Sequence, residues 1–114
     1  MKTSELKGAA LDWAVAKDVG ETYSRMHHFG LDVNSTYIET LDYSTDWDLT
    51  GPLIDRFKIL LCPSEHHVEQ WEVSVNGDCE MHYGETPLIA ICRAVVAYVI
   101  GDEIELPADL AVIV

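Results

Sequence analysis

Apolar positions recur at helical spacing from Ser4 to Lys17, where Leu6, Ala10, Trp13 and Ala14 fall on one stripe with Leu11 and Val15 beside it. Thr3 or Ser4 supplies an N-cap, Lys17 suits the last turn, and Gly20 closes the segment. Gly8 weakens the first turn, since glycine is about 1 kcal/mol less favourable than alanine in a helix, so the regular helix can begin after it. Glu21 to Thr36 mixes His27, His28, Gly30 and Asn34 with few periodic apolar residues and reads as loop with one short strand. Tyr37-Ile38-Glu39-Thr40-Leu41 is rich in β-forming residues and predicts a strand. Asp42 to Pro52 reads as a polar, aromatic loop containing a Gly-Pro pair.

Period two takes over from Asp55 to Cys62. Phe57, Ile59 and Leu61 face one way, Arg56 and Lys58 the other, and Pro63 ends the strand. Gln70 to Val75, then Asn76-Gly77, then Asp78 to Tyr83 is a hairpin signal. A two-residue loop would set Val75 against Asp78 and Val73 against Glu80. An odd-numbered loop puts Trp71, Val73 and Val75 on the face that holds Cys79, Met81 and Tyr83. Burial favours the second register, and with it a three-residue connection, a bulge and a positive φ at Gly77.

The last helix has both ends marked: Thr86 as N-cap, Pro87 first inside, Gly101 just past the end. Leu88, Ile91, Cys92, Val95 and Val99 form its stripe. Ile89, Val96 and Ile100 widen it until only Arg93 and Tyr98 break the apolar surface, which demands cover on more than one side. The tail Leu110 to Val114, or a second subunit, can supply part of that cover. The expected fold is α+β: a single domain over 1–114 with a small antiparallel sheet of three to four strands, an N-terminal helix and a long apolar C-terminal helix.

Composition narrows the function classes. The chain of 114 residues carries 20 acidic and 7 basic residues, a formal charge of −13, which is the wrong sign for direct nucleic-acid binding. The Ala-rich stretch after Gly8 is broken by Asp12, so no secretory signal is read, and Leu88 to Ile100 is too short and contains Arg93, so no membrane span is read. Cys62, Cys79 and Cys92 are an odd set without framework spacing and suit a reducing cytoplasm.

Three constellations carry chemistry. Cys62 with His66 and Cys79 with His82 make a loose zinc set, set against ordinary buried thiols and surface histidines; a strand would point Cys79 inward and His82 outward, so no metal or other cofactor is expected. The adjacent pairs His27-His28 and His66-His67 read as exposed histidines. Asp42, Asp46, Asp48 and Asp55 could hold magnesium or work as an acid–base pair, but no phosphate loop or activated nucleophile accompanies them, and a capped turn has the same composition. No catalytic residue is assigned. Tyr43, Asp46, Trp47, Asp48, Gly51 and Pro52 are the partner-binding candidates, Trp47 as the tip, against a reading in which Trp47 plugs the sheet.

The blocks Met1 to Leu6, Gly8 to Lys17, Tyr43-Ser44-Thr45-Asp46-Trp47, Gly51 to Ile54, Thr86 to Ala90, Gly101-Asp102-Glu103 and Pro107 to Leu110 resemble, in order, the phage NinX family. The resemblance implies a small accessory protein of lambdoid-type phages and prophages and brings no catalytic residues with it. Together with the acidity it points to a non-enzymatic module that binds a host or phage protein in the bacterial cytoplasm. A homodimer or larger assembly is expected separately, from the apolar surface of Leu88 to Ile100 and of the Leu110 to Val114 tail. The alternatives are a small metal-assisted hydrolase using Asp42 to Asp55, and an acidic DNA mimic presenting Glu69, Glu72, Glu80, Asp102, Glu103 and Glu105 in rows.

Overall fold

The computed structural model describes residues 1–27, 42–65 and 67–106. A 3-10 turn at Thr3–Glu5 leads into α1 (Gly8–His27), followed by α2 (Trp47–Phe57), β1 (Ile59–Pro63), β2 (Trp71–Val75), β3 (His82–Gly84) and α3 (Pro87–Val99). The strands form one antiparallel sheet of three in the order β1-β2-β3, so the fold is α+β. α3 lies on the sheet and touches α1 and α2 as well.

That central position explains the composition of α3. Leu88 and every residue from Ala90 to Val96 are buried, against Leu11, Ala14 and Val15 of α1, Leu53 of α2 and the inner sheet face in one continuous core. Each large aliphatic so buried contributes about 1.5–3 kcal/mol. Both helix ends form as the sequence marks them: the Thr86 hydroxyl accepts from the Ile89 N–H at 3.1 Å, Pro87 is the first helical residue, and Gly101 has φ +118°. Two positions differ from the expected stripe. Val96 is fully buried within the chain, while Val99 at the last turn is 49% exposed. Among the described residues, cover therefore comes from within the chain in the middle of α3 and runs out at its end.

α1 does not stop at Gly20 but continues to His27, so Glu21 to His27 is helix and not loop, and Lys17 is not in its last turn. One interior glycine costs only about 1 kcal/mol, and no proline follows it to break the helix. The expected strand Tyr37–Leu41, the remainder of the expected loop from His28 to Thr36, and the tail from Pro107 lie outside the described residues.

The expected loop Asp42–Pro52 is largely helix, since α2 begins at Trp47 and carries Pro52 inside it. α2 also takes the first part of the expected strand Asp55–Cys62, which begins only at Ile59. Leu49, Leu53, Ile54 and Phe57 have helical spacing and pack on the core. Pro52, midway along α2, removes one backbone donor at a cost of about 3 kcal/mol, and that burial outweighs the loss. Lys58 at φ 52° reverses the chain into β1.

The hairpin takes the register opposite to the expected one. Asn76 and Gly77 both have positive φ (52° and 76°), and the Asp78 N–H donates to the Val75 carbonyl at 2.9 Å, so the turn is the two-residue Asn-Gly type. Val73 then pairs with His82 and Trp71 with Gly84, which leaves Met81 and Tyr83 on the face away from Val73. The turn alone would set Val73 against Glu80, so the Cys79–Met81 stretch absorbs two extra residues before the ladder resumes. Gly84 explains the choice: it sits so close to α3 that a Cβ there would meet the Ala90 backbone nitrogen at 2.4 Å. Only glycine can occupy that inner position, and it fixes which residues of β3 face in.

Candidate functional site

Three places collect side chains with chemical potential. The first is the start of α2. Asp46 caps it, its carboxylate accepting from the Asp48 N–H at 2.9 Å. Trp47 follows at 49% exposure, with Asp48 and Pro52 exposed and Gly51 half-buried. Trp47 therefore does not plug the sheet. Tyr43 departs from the expected surface set, because its side chain is buried in the core. The acidic cluster does not converge. Asp42, Asp48 and Asp55 are all exposed, and Asp55 pairs only with Lys58 at 3.4 Å one helical turn away.

The second place is inside the molecule and was not read from the sequence. The Asp12 carboxylate on α1 is buried and accepts from the Ser44 N–H at 2.7 Å. Burial pushes its carboxyl above the ordinary value of 3.8, against the lowering effect of its hydrogen bonds to Ser44. The Thr50 hydroxyl, fully buried on α2, donates to the Tyr43 carbonyl and lies 3.9 Å from the Cys92 sulfur on α3. Burial pushes the Cys92 thiol up to about 12, so it stays protonated and unreactive. These residues act as a clasp joining α1, the turn before α2, and α3. In sequence Asp12 interrupts an otherwise apolar helical face, and that interruption was the available signal.

The clasp has a pH signature. A carboxyl whose folded pKa is raised above the unfolded value stabilises the fold below the unfolded value, and that contribution is lost as pH rises through the folded one. Asp12→Asn keeps an acceptor for Ser44 without the charge. It should raise the urea midpoint relative to the parent at pH 7, with the gap closing below pH ~4. A lower midpoint at pH 7 would show that the ionised carboxylate is the stabilising form.

The third place is a cleft of about 930 Å³ lined by Lys2 to Ser4, His67, Glu69, Glu80 to Tyr83, Arg93, Ile100, Asp102 and Glu103. Arg93 is buried. Its Nε donates to the Leu6 carbonyl at 2.7 Å, and its Nη1 donates to Glu69 at 2.7 Å and to the Tyr83 carbonyl at 3.0 Å. The His67 ring stacks on Tyr83 at 3.8 Å and 3°. None of Asp42, Asp46, Asp48 or Asp55 lines this cleft. Of the acidic residues expected in rows, Glu69, Glu80, Asp102 and Glu103 line this cleft, with Glu69 held by Arg93, while Glu72 is half-buried and accepts from the Cys62 thiol at 3.4 Å.

Of the loose zinc set weighed in the sequence, His66 lies outside the described residues. Cys79 is exposed rather than core-facing, and His82 pairs with Val73 on the inner face, which reverses the predicted orientation of both. Cys62 faces Glu72 across the ladder, where desolvation first and Glu72 second push its thiol up. Among the described residues, no group of three or more His, Cys, Asp or Glu is placed to hold a metal ion.

The family model described as bacteriophage P22 NinX matches residues 2–98. The chain belongs to this family. It is accordingly a phage accessory protein. A search of curated proteins finds no match. The segments that carried the NinX resemblance, around Asp12, Tyr43 to Trp47 and Thr86 to Ala90, lie within the matched range. Folding joins two of them at the Asp12–Ser44 hydrogen bond, and the third opens the helix on which Cys92 sits. Among the described residues, no helix is long and apolar enough to cross a membrane.

Proposed function

We propose that the protein is a non-enzymatic module that binds a host or phage protein in the bacterial cytoplasm through the outer side of the first turns of α2. The observation that carries this reading is Trp47, a large aromatic left 49% exposed on the opening turn of a capped helix, flanked by exposed Asp48 and Pro52. Tryptophan is costly to leave in water and is favoured as an anchor that fills a pocket on a partner. The core residues around it are structural, and the exposed carboxylates beside it supply no shared catalytic cleft. Trp47→Ala should leave folding stability within about 0.5 kcal/mol of the parent, as an exposed position allows. The same change should weaken binding of a purified partner, first captured from infected cells, by about thirtyfold, the effect of losing an anchor worth ~2 kcal/mol. Unchanged affinity for every partner captured would remove Trp47 as the anchor.

Self-association is a second reading, favoured by a different observation. Tyr98, Val99 and Ile100 at the end of α3 are 47%, 49% and 39% exposed. A homodimer would pair there, because Val96 is already covered within the chain. Sedimentation equilibrium at micromolar concentration should give twice the 12.8 kDa chain mass, reverting to one chain on Val99→Asp. A single-chain mass for the parent would refute the dimer.

A further inference from the structure

The turn between β2 and β3 carries a chemically reactive pair. Asn76-Gly77 sets a side-chain amide next to a main-chain nitrogen whose own residue has no Cβ to crowd it. Both residues are exposed, and nothing lies within 4 Å of the position a Gly77 Cβ would take. The other asparagine of the chain, Asn34, is followed by Ser35, whose side chain hinders approach to the same nitrogen.

The fold holds the pair in a shape that opposes its reaction. With φ of 52° at Asn76 and 76° at Gly77, the turn is the mirror image of type I. In such a turn ψ of the first central residue is about +30°, which swings the next nitrogen nearly opposite to that residue's Cβ. A ring between the Gly77 nitrogen and the Asn76 side chain needs the two on the same side of the Cα–C bond. The turn is fastened in place from three directions. The Asp78 N–H donates to the Val75 carbonyl at 2.9 Å, and the Asn76 N–H is shared between the Phe57 and Lys58 carbonyls at 3.0 Å each. The Asn76 amide donates to the Tyr98 hydroxyl on α3 at 3.4 Å.

We infer that Asn76 is a site of spontaneous deamidation, and that opening of the β2–β3 turn sets its rate. In the opened turn the Gly77 nitrogen attacks Cγ of Asn76. The new N–C bond forms, the Cγ–Nδ2 bond breaks, and the proton from the Gly77 nitrogen passes through solvent to the departing ammonia. Water then opens the five-membered imide at one of its two carbonyls, giving aspartate or isoaspartate. Isoaspartate routes the main chain through Cβ and lengthens the turn by one atom. A two-residue turn cannot absorb that atom and keep the Asp78–Val75 bond, so the ladder from Val73 and His82 onward loosens and Tyr98 loses its amide partner. Trp47 plays no part in this chemistry.

The test ages the full chain at physiological pH and temperature, native and in concentrated urea, followed by peptide mass mapping and isoaspartate detection. The peptide holding Asn76 should gain one dalton and isoaspartate in both states, about ten- to a hundredfold more slowly in the native chain. Equal rates would overturn the gating. So would a native chain still unconverted long after that interval, because the turn would then not open. Faster conversion at Asn34 than at Asn76 in urea would remove Asn76 as the site. Gly77→Ala in urea should slow the reaction at least about tenfold by placing a Cβ beside the attacking nitrogen, and an unchanged rate would exclude that nitrogen. Asn76→Asp carries the product's charge on a main chain of normal length. The purified isoaspartate form should melt below this variant, and equal melting temperatures would overturn the lengthened turn.

Discussion

Arg93→Ala should cost about 3 kcal/mol of folding stability, out of the 5–15 kcal/mol typical of a domain. The guanidinium is buried, and it is held by bonds to two carbonyls and one carboxylate. Removing it leaves the Leu6 and Tyr83 carbonyls without these donors and leaves Glu69 without its counter-charge. The Glu69 side chain is 24% exposed and can regain some water, which keeps the loss near the lower end of the range for breaking a buried pair. Arg93→Lys keeps the charge but not the fork that reaches Leu6, Glu69 and Tyr83 together, so its cost should fall in between. Urea unfolding followed by tryptophan fluorescence measures both. A loss below about 1 kcal/mol for the alanine variant would show that the ion pair contributes no more than an exposed one.

Gly84→Ala should be nearly as damaging, at about 2–3 kcal/mol. The added Cβ would meet Ala90 at 2.4 Å from its nitrogen and 2.8 Å from its Cα, and the Ile89 carbonyl carbon at 3.0 Å. These are backbone atoms of α3, which cannot move aside by changing a rotamer. β3 would have to withdraw from the helix, and its pairing with Trp71 would go with it. Gly77 makes a useful contrast: nothing lies within 4 Å of its would-be Cβ, and only its φ of +76° argues for glycine. Gly77→Ala should therefore cost about 1 kcal/mol, and thermal melts of the two variants should rank accordingly. The reverse order would mean that β3 is free to shift away from α3.

The sequence exposes the parts of this fold whose signals are local and unopposed. α3 has a capping threonine, a proline at its first position and a glycine past its end, and it forms between them. α2 was obscured because two signals conflicted. Gly51-Pro52 looks like a stop, and Phe57, Ile59 and Leu61 continue an alternation that belongs to the strand only from Ile59 onward. The hairpin register was misread because the apolar residues were assumed to share a face. Met81 and Tyr83 instead line the Arg93 cleft, with Tyr83 under the His67 ring, while the inner face needed the small Gly84. At the candidate sites, Trp47 was legible as an aromatic among polar neighbours. Arg93 was visible only as an interruption, because its partners lie 87, 24 and 10 residues away and spacing alone cannot find them.

Those separations have a consequence in time. α1 is synthesised early, but the helix that covers its apolar stripe comes late, and the Leu6–Arg93 contact spans 87 residues. At about 5–20 residues per second, a ribosome takes roughly 4–17 s to cross that distance. For those seconds Leu11, Ala14 and Val15 have no α3 to pack on. The Thr3 N–H to Asp102 carbonyl bond at 2.8 Å and the Lys2–Glu103 bridge, which fasten the opening of the chain, come later still. Premature release of the nascent chain before α3 would leave a fragment with an uncovered helix, a substrate for chaperones and proteases rather than a smaller version of the protein.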